Sequence, residues 1–151
     1  MTITSASKFW KNKKVFVTGH TGFKGTWLCL FLNLLGAKIY GYSLKPEKKS
    51  LFNQSECLKI LKSNCYGDIG DFKKLHKQLF RSKPDIIFHL AAQPLVSESY
   101  KKPIETFQTN IMGTINLIQA LKNIKSCKSV VIVTTDKVYK IKSNNRPYDE
   151  K

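Results

Sequence analysis

The chain has 151 residues, enough for one domain with a sizeable core. Its 42% hydrophobic and 24% charged content is that of an ordinary water-soluble globular protein, and no apolar run reaches the length of a membrane span. A net charge of +16 invites a nucleic-acid reading, but only Arg81 and Arg146 among 26 basic residues are arginine and the lysines are spread along the chain, so neither nucleic acid nor membrane is an expected partner.

Residues 1–7 are polar and lack the apolar core of a signal peptide, which makes the cytoplasm the expected compartment. Residues 1–13 read as a polar leader, with Phe9 and Trp10 available to pack on a sheet edge. Residues 14–18 then form a first strand, whose unbroken apolar run Val15, Phe16 and Val17 suits burial on both faces. An amphipathic helix is predicted over 26–35, closed by Gly36, followed by a strand over 37–43 and a charged loop over 45–49. Residues 51–61 have weak helical periodicity, and a short strand over 64–66 ends at Gly67 and Asp68. A helix over 72–81 places Leu75 and Leu79 on one face, with Asp71 as its cap. A buried strand over 85–90, a loop over 91–102, a long helix over 103–124 opened by Pro103, and a strand over 129–135 complete the series. The alternation of strands and helices predicts a Rossmann-type doubly wound α/β fold, order 3-2-1-4-5, with its crevice at the C-terminal strand ends between strands 1 and 4. The dinucleotide-binding domain is expected over 14–140, and 141–151 begins a loop. The four cysteines form no C-x-x-C pair, so no metal is expected.

Gly19, Gly22 and Gly25 lie between the first strand and first helix, enclosing His20-Thr21 and Phe23-Lys24. Such a turn needs one glycine to leave the strand sharply, one to let backbone approach a ligand, and one to let helix and sheet pack closely. The helix N-terminus then offers free N–H groups and a positive dipole end to a pyrophosphate. At the end of the second strand no carboxylate stands ready for a ribose hydroxyl; Ser43 can bond the ribose, whereas Lys45 can favour a 2′-phosphate, so NAD and NADP both stay open. Asp68 can accept from an adenine amino group while Ile69 covers the ring. Leu90, Ala91, Ala92 and Gln93 let a flat dinucleotide lie against backbone; His89 reads as a packed histidine, and Asn110 as a bond partner for backbone near the active centre. Thr135, Asp136 and Lys137 set a hydroxyl, an acid and an amine at the crevice mouth, where a threonine can hold a substrate hydroxyl and the other two can supply acid and base.

The run Phe-Val-Thr-Gly-His-Thr-Gly-Phe-Lys-Gly at 16–25, with Gly67-Asp68-Ile69, the 89–96 segment His-Leu-Ala-Ala-Gln-Pro-Leu-Val, Thr-Asn-Ile-Met-Gly-Thr at 109–114 and Val-Thr-Thr-Asp-Lys at 133–137, resembles the CDP-glucose 4,6-dehydratases of the extended short-chain dehydrogenase/reductase superfamily. That resemblance implies a tightly held NAD, CDP-glucose as nucleotide-sugar partner, a 4-keto-6-deoxy product and a homo-oligomer. It places Thr135 at the sugar C4 hydroxyl, Asp136 as donor to the leaving C6 hydroxyl, and Lys137 where relatives carry a glutamate for the C5 proton. It also places Gly19, Gly22, Phe23 and Gly25 around the pyrophosphate and Asp68 at the adenine. The family's Tyr-x-x-x-Lys pair has no match, since Tyr139 is followed at that spacing by Ser143. The chain therefore reads as the cofactor-binding front portion of a longer enzyme, inactive alone. A related epimerase, or a non-catalytic dinucleotide-binding module, would share most of these features.

Overall fold

A computed structural model describes residues 3–135. The strands β1 (Lys14–Thr18), β2 (Lys38–Ser43), β3 (Ser63–Tyr66), β4 (Ile86–His89) and β5 (Ser129–Ile132) form one parallel sheet in the order β3-β2-β1-β4-β5, as predicted. β1 lies at the centre: Thr18 is in register with Tyr42 of β2 on one side and His89 of β4 on the other. Three strand ends therefore converge where the strand order reverses, the place at which open α/β sheets bind ligands.

Alternation along β1 builds two cores. Phe16 joins Tyr42, Ile87, Leu75, Leu79 and Leu117 on one face; Val15 and Val17 join Ile39, Cys29, Leu32 and Phe52 on the other. The first core is closed by α4 (Phe72–Ser82) and α7 (Gly113–Leu121), the second by α2 (Phe23–Leu34) and α3 (Leu51–Gln54). Burial on both faces explains why the central strands are continuous apolar runs.

Several elements differ from expectation. The segment read as a polar leader contains α1 (Ile3–Trp10), and Trp10 lies 6.2 Å from the Phe88 ring of β4. α2 starts at Phe23 rather than residue 26, because nothing in Phe23 or Lys24 opposes helix and Gly22 already supplies the extended N-cap. Nor is α2 amphipathic: Cys29 and Leu32 are buried, but Trp27, Phe31 and Leu34 on its outer side are exposed. The weakly periodic 51–61 stretch breaks at Glu56, whose φ of 51° separates α3 from a 3-10 helix at Cys57–Ile60. The expected loop after β4 contains a short helix, α5 (Val96–Lys101). The long helix is real but composite: α6 (Pro103–Phe107) runs through a π turn at Gln108–Met112 into α7. β5 ends at Ile132, so Thr134 and Thr135 lie past the strand.

Candidate functional site

The three glycines divide the work of the turn. Gly19 has φ +73°, and a Cβ there would lie 2.7 Å from the Ala91 amide nitrogen. A Cβ on Gly25 would run into the Gly19 carbonyl oxygen and approach the His20 Cα to 2.8 Å. These two glycines let the β1–α2 turn seat on the β4 exit and let α2 close onto the turn. Gly22 differs: it is exposed, and its nearest neighbour for a Cβ is the Gly19 carbonyl oxygen at 3.3 Å. It is also the N-cap of α2, and no side chain caps that helix. The first-turn amides, including those of Phe23 and Lys24, thus open on the side where glycine leaves room, which is the arrangement an anion requires.

His20 and Thr21 brace the turn. The His20 ring is fully buried over Gly41, lies edge-on to Phe52 and bonds Asn64 Oδ1 from Nε2 at 2.7 Å. Burial holds its pKa below the ordinary histidine value, against the opposing effect of the Asn64 bond. The Thr21 hydroxyl donates to the Leu44 carbonyl at 3.0 Å and also lies 2.8 Å from Ser43 Oγ. One hydroxyl carries one proton, so the Ser43 hydroxyl is the donor in that second bond. Ser43, expected at the ribose, is therefore buried and tied to the turn, while Lys45 at the β2 exit is exposed. A pocket of about 320 Å³ lies between the glycine turn and the segment after β2, lined by Thr21, Gly22, Phe23, Lys45, Pro46 and Ser50 among others.

Asp68 is exposed beyond β3, and its Oδ1 accepts the Gly70 amide at 2.7 Å. Tyr42 sets its height: the phenol is fully buried, fills the space above Gly67 and donates to the Asp68 carbonyl at 2.8 Å. Burial pushes the Tyr42 pKa up, so it stays protonated as a donor. Ile69 requires a correction. Its side chain is 5% exposed and packs into the core against Gly113, which leaves no side-chain surface to cover a ring. Asn116 holds this loop from α7, donating to the carbonyls of Ile69 and Gly70 at 3.2 Å each.

Across the crevice, Leu90 and Ala91 present backbone to Gly19, and Ala92 is exposed. Asn110 bonds backbone, as expected of it, but the backbone is that of Gln93, and it is Gln93, expected to lie along the dinucleotide, that needs correction. Asn110 Oδ1 accepts the Gln93 amide at 2.8 Å, and its Nδ2 donates to the Gln93 carbonyl at 3.1 Å. The Gln93 side chain turns back to Leu95 and Thr106. Every polar group of Gln93 has an internal partner, so both residues build the crevice wall. His89 is the packed histidine expected, with Nδ1 2.6 Å from Thr18 Oγ1 and Nε2 3.0 Å from Thr114 Oγ1.

On the far side, the Val133 amide donates to the His89 carbonyl at 3.0 Å, continuing the β4–β5 pairing past Ile132. That bond carries the exposed Thr135 toward the crevice end of the sheet. Asp136 and Lys137 lie outside the described residues. Among the described residues no group of three or more His, Cys, Asp or Glu is placed to hold a metal.

The sequence carries no signal for the roles of Thr21, Tyr42 and Asn116. Each donates to one or two carbonyls distant in sequence, and no periodicity or spacing signals such bonds.

The family model described as GDP-mannose 4,6 dehydratase matches residues 16–151. A CDP-glucose 4,6-dehydratase of Salmonella typhimurium is 50% identical over 132 residues, which cover 87% of this chain and 36% of that protein. The epimerase Mth375 of Methanothermobacter thermautotrophicus shares the fold with a TM-score of 0.79 at 23% identity, over 98% of this chain and 43% of its own. A UDP-glucose 4-epimerase of Thermus thermophilus, solved as a complex with NAD, matches at a TM-score of 0.66 and 26% identity, over 76% of this chain and 35% of its own. The chain spans about a third of the length of the curated relative.

Proposed function

Because the chain belongs to the GDP-mannose 4,6-dehydratase family, we propose that it supplies the NAD-binding fold of a nucleotide-sugar 4,6-dehydratase whose substrate is CDP-glucose. The observation that carries this is the glycine turn: Gly22 is an exposed, side-chain-free N-cap on an uncapped helix, and Gly19 beside it seats on the bare backbone of Leu90 and Ala91. The 50% identity to the Salmonella enzyme supports CDP-glucose as the sugar nucleotide, and the NAD complex of the Thermus epimerase supports the cofactor.

NAD, when bound, supplies reversible hydride uptake at a carbinol carbon. The residues present suit it. The amides of Phe23, Lys24 and Gly25 take the pyrophosphate, with Lys24 adding charge at the surface. The Asp68 carboxylate accepts from the adenine amino group, at the height Tyr42 imposes. Ala91 and Ala92, with only methyl side chains, would leave room for the nicotinamide half. Thr135 bonds the sugar C4 hydroxyl. Asp136 gives a proton to the leaving C6 hydroxyl, and Lys137 handles the C5 proton. With no Tyr-x-x-x-Lys pair in these 151 residues, no side chain takes the C4 hydroxyl proton. The chain by itself therefore binds cofactor and does not turn over.

Titrating NAD into the isotope-labelled chain tests this. Amide shifts at Gly22 to Gly25, Asp68 and Ala91 support the reading; shifts confined to surface lysines overturn it. Loss of water from CDP-glucose by the purified chain, followed by mass spectrometry, would contradict the inactivity.

A further inference from the structure

Five groups at the back of the crevice form one continuous hydrogen-bonded path, and the proton inventory fixes its direction. The Ala91 amide donates to Thr18 Oγ1 at 3.2 Å; Thr18 Oγ1 meets His89 Nδ1; His89 Nε2 meets Thr114 Oγ1; Thr114 Oγ1 donates to the Asn110 carbonyl at 2.7 Å. A threonine hydroxyl has a single proton. Thr114 directs its proton to Asn110, so it can only accept from His89, and His89 Nε2 must carry a hydrogen. A neutral ring then leaves Nδ1 as an acceptor for the Thr18 proton. Thr18 is fully buried and His89 2% exposed, so an unmade bond here would be costly. Burial also pushes the His89 pKa below its ordinary value, with no charged group contributing to the shift.

Both ends of this path are parts of the crevice. The Ala91 amide belongs to the backbone that closes on Gly19. Asn110 sits in the π turn, where the Gly113 amide bonds back to the Gln108 carbonyl, five residues earlier, and its side chain clamps Gln93. The path thus ties strand β1, strand β4 and the long helix at the two ends of the 91–93 wall.

We propose that His89 is a positioning residue, which as the neutral Nε2–H imidazole orders this path and sets the Ala91–Gln93 wall at the position a dinucleotide meets. The inference rests on the proposed NAD-binding role of the crevice, but its first readouts need no ligand. Two-bond nitrogen–proton correlation spectra of the labelled chain at neutral pH should show His89 protonated at Nε2 and bare at Nδ1. His89→Phe keeps a ring and removes both nitrogens. It should speed amide exchange at Ala91 and Gln93 about tenfold, the effect of losing one net hydrogen bond, and weaken NAD binding by about the same factor. His89→Gln keeps a donor and an acceptor and should restore most of both. A side chain that merely fills space would be replaced by phenylalanine without effect on these amides, and that result overturns the proposal. So does an Nδ1–H or doubly protonated ring in the wild-type spectrum, which decides the matter even if His89→Phe does not fold. If the wild-type chain ignores NAD while the tautomer and exchange results hold, the NAD-binding reading fails and the ordering role of His89 stands.

Discussion

Gly22 and Gly25 belong to the same motif yet should respond differently to one added methyl group. At Gly25 the new Cβ meets backbone that cannot rotate away, so Gly25→Ala should lower stability by about 1–3 kcal/mol in urea denaturation. At Gly22 only the Gly19 carbonyl oxygen is near, so Gly22→Ala should fold with nearly wild-type stability while losing NAD affinity. The two buried histidines give a second expectation at this scale. Both His20 and His89 have pKa values held below 6.5 by burial, so the unfolded chain binds more protons than the folded one between the folded values and 6.5. Stability should therefore be complete above about pH 7 and fall as the pH drops through 6.5, before most carboxylates titrate. Denaturant midpoints from about pH 7.5 to 5.5 check the sign, and His20→Gln should flatten part of the slope. The glycine turn and its bordering residues were legible because strand, glycine spacing and helix are contiguous in the chain. The bond from Ser43 to Thr21 and the inward turn of Ile69 were not, because each depends on a partner from another element.

At the level of elements, the strands were the most readable. Continuous apolar runs at β1 and β4 report burial on two faces, and Asp71 caps α4 as its position implied, accepting the Lys74 amide at 3.0 Å. Asp71→Ala should cost about 1 kcal/mol, seen as a lower denaturation midpoint with unchanged slope. The errors have local causes. α5 has no apolar periodicity to announce it and no buried residue in the structure. The π turn inside the long helix leaves no composition signal at all. It places Asn110 where its side chain reaches Gln93 and its carbonyl takes the Thr114 hydroxyl. The last strand is shorter than its β-branched run, which continues through Thr135 whereas β5 ends at Ile132 and the Val133 amide pairs just beyond it.

The whole molecule carries +16 on 151 residues. Among the described residues the ion pairs are Lys59–Glu56, Lys101–Glu98 and Lys102–Glu105, all exposed and local in sequence, which contribute little. Self-repulsion should therefore dominate, and the melting temperature should rise as sodium chloride is raised from about 10 to 150 mM, where the screening length shrinks from about 30 to 8 Å. The surface also exposes Val130 and Val131 on β5 with Val133 just past it, and a stripe of Ile104, Phe107, Ile111, Ile115 and Ile118 along the long helix. Such surfaces favour association. Sedimentation at increasing concentration should show a mass above the monomer.

Calorimetry of NAD against the wild-type chain and Gly22→Asp tests the dinucleotide site most directly. A carboxylate set among the first-turn amides of α2 would occupy the place of the pyrophosphate and repel it. Saturable binding to the wild type and none to the variant is the expected result, with both folded by circular dichroism. Equal affinity for the two, or no heat from either, would contradict it.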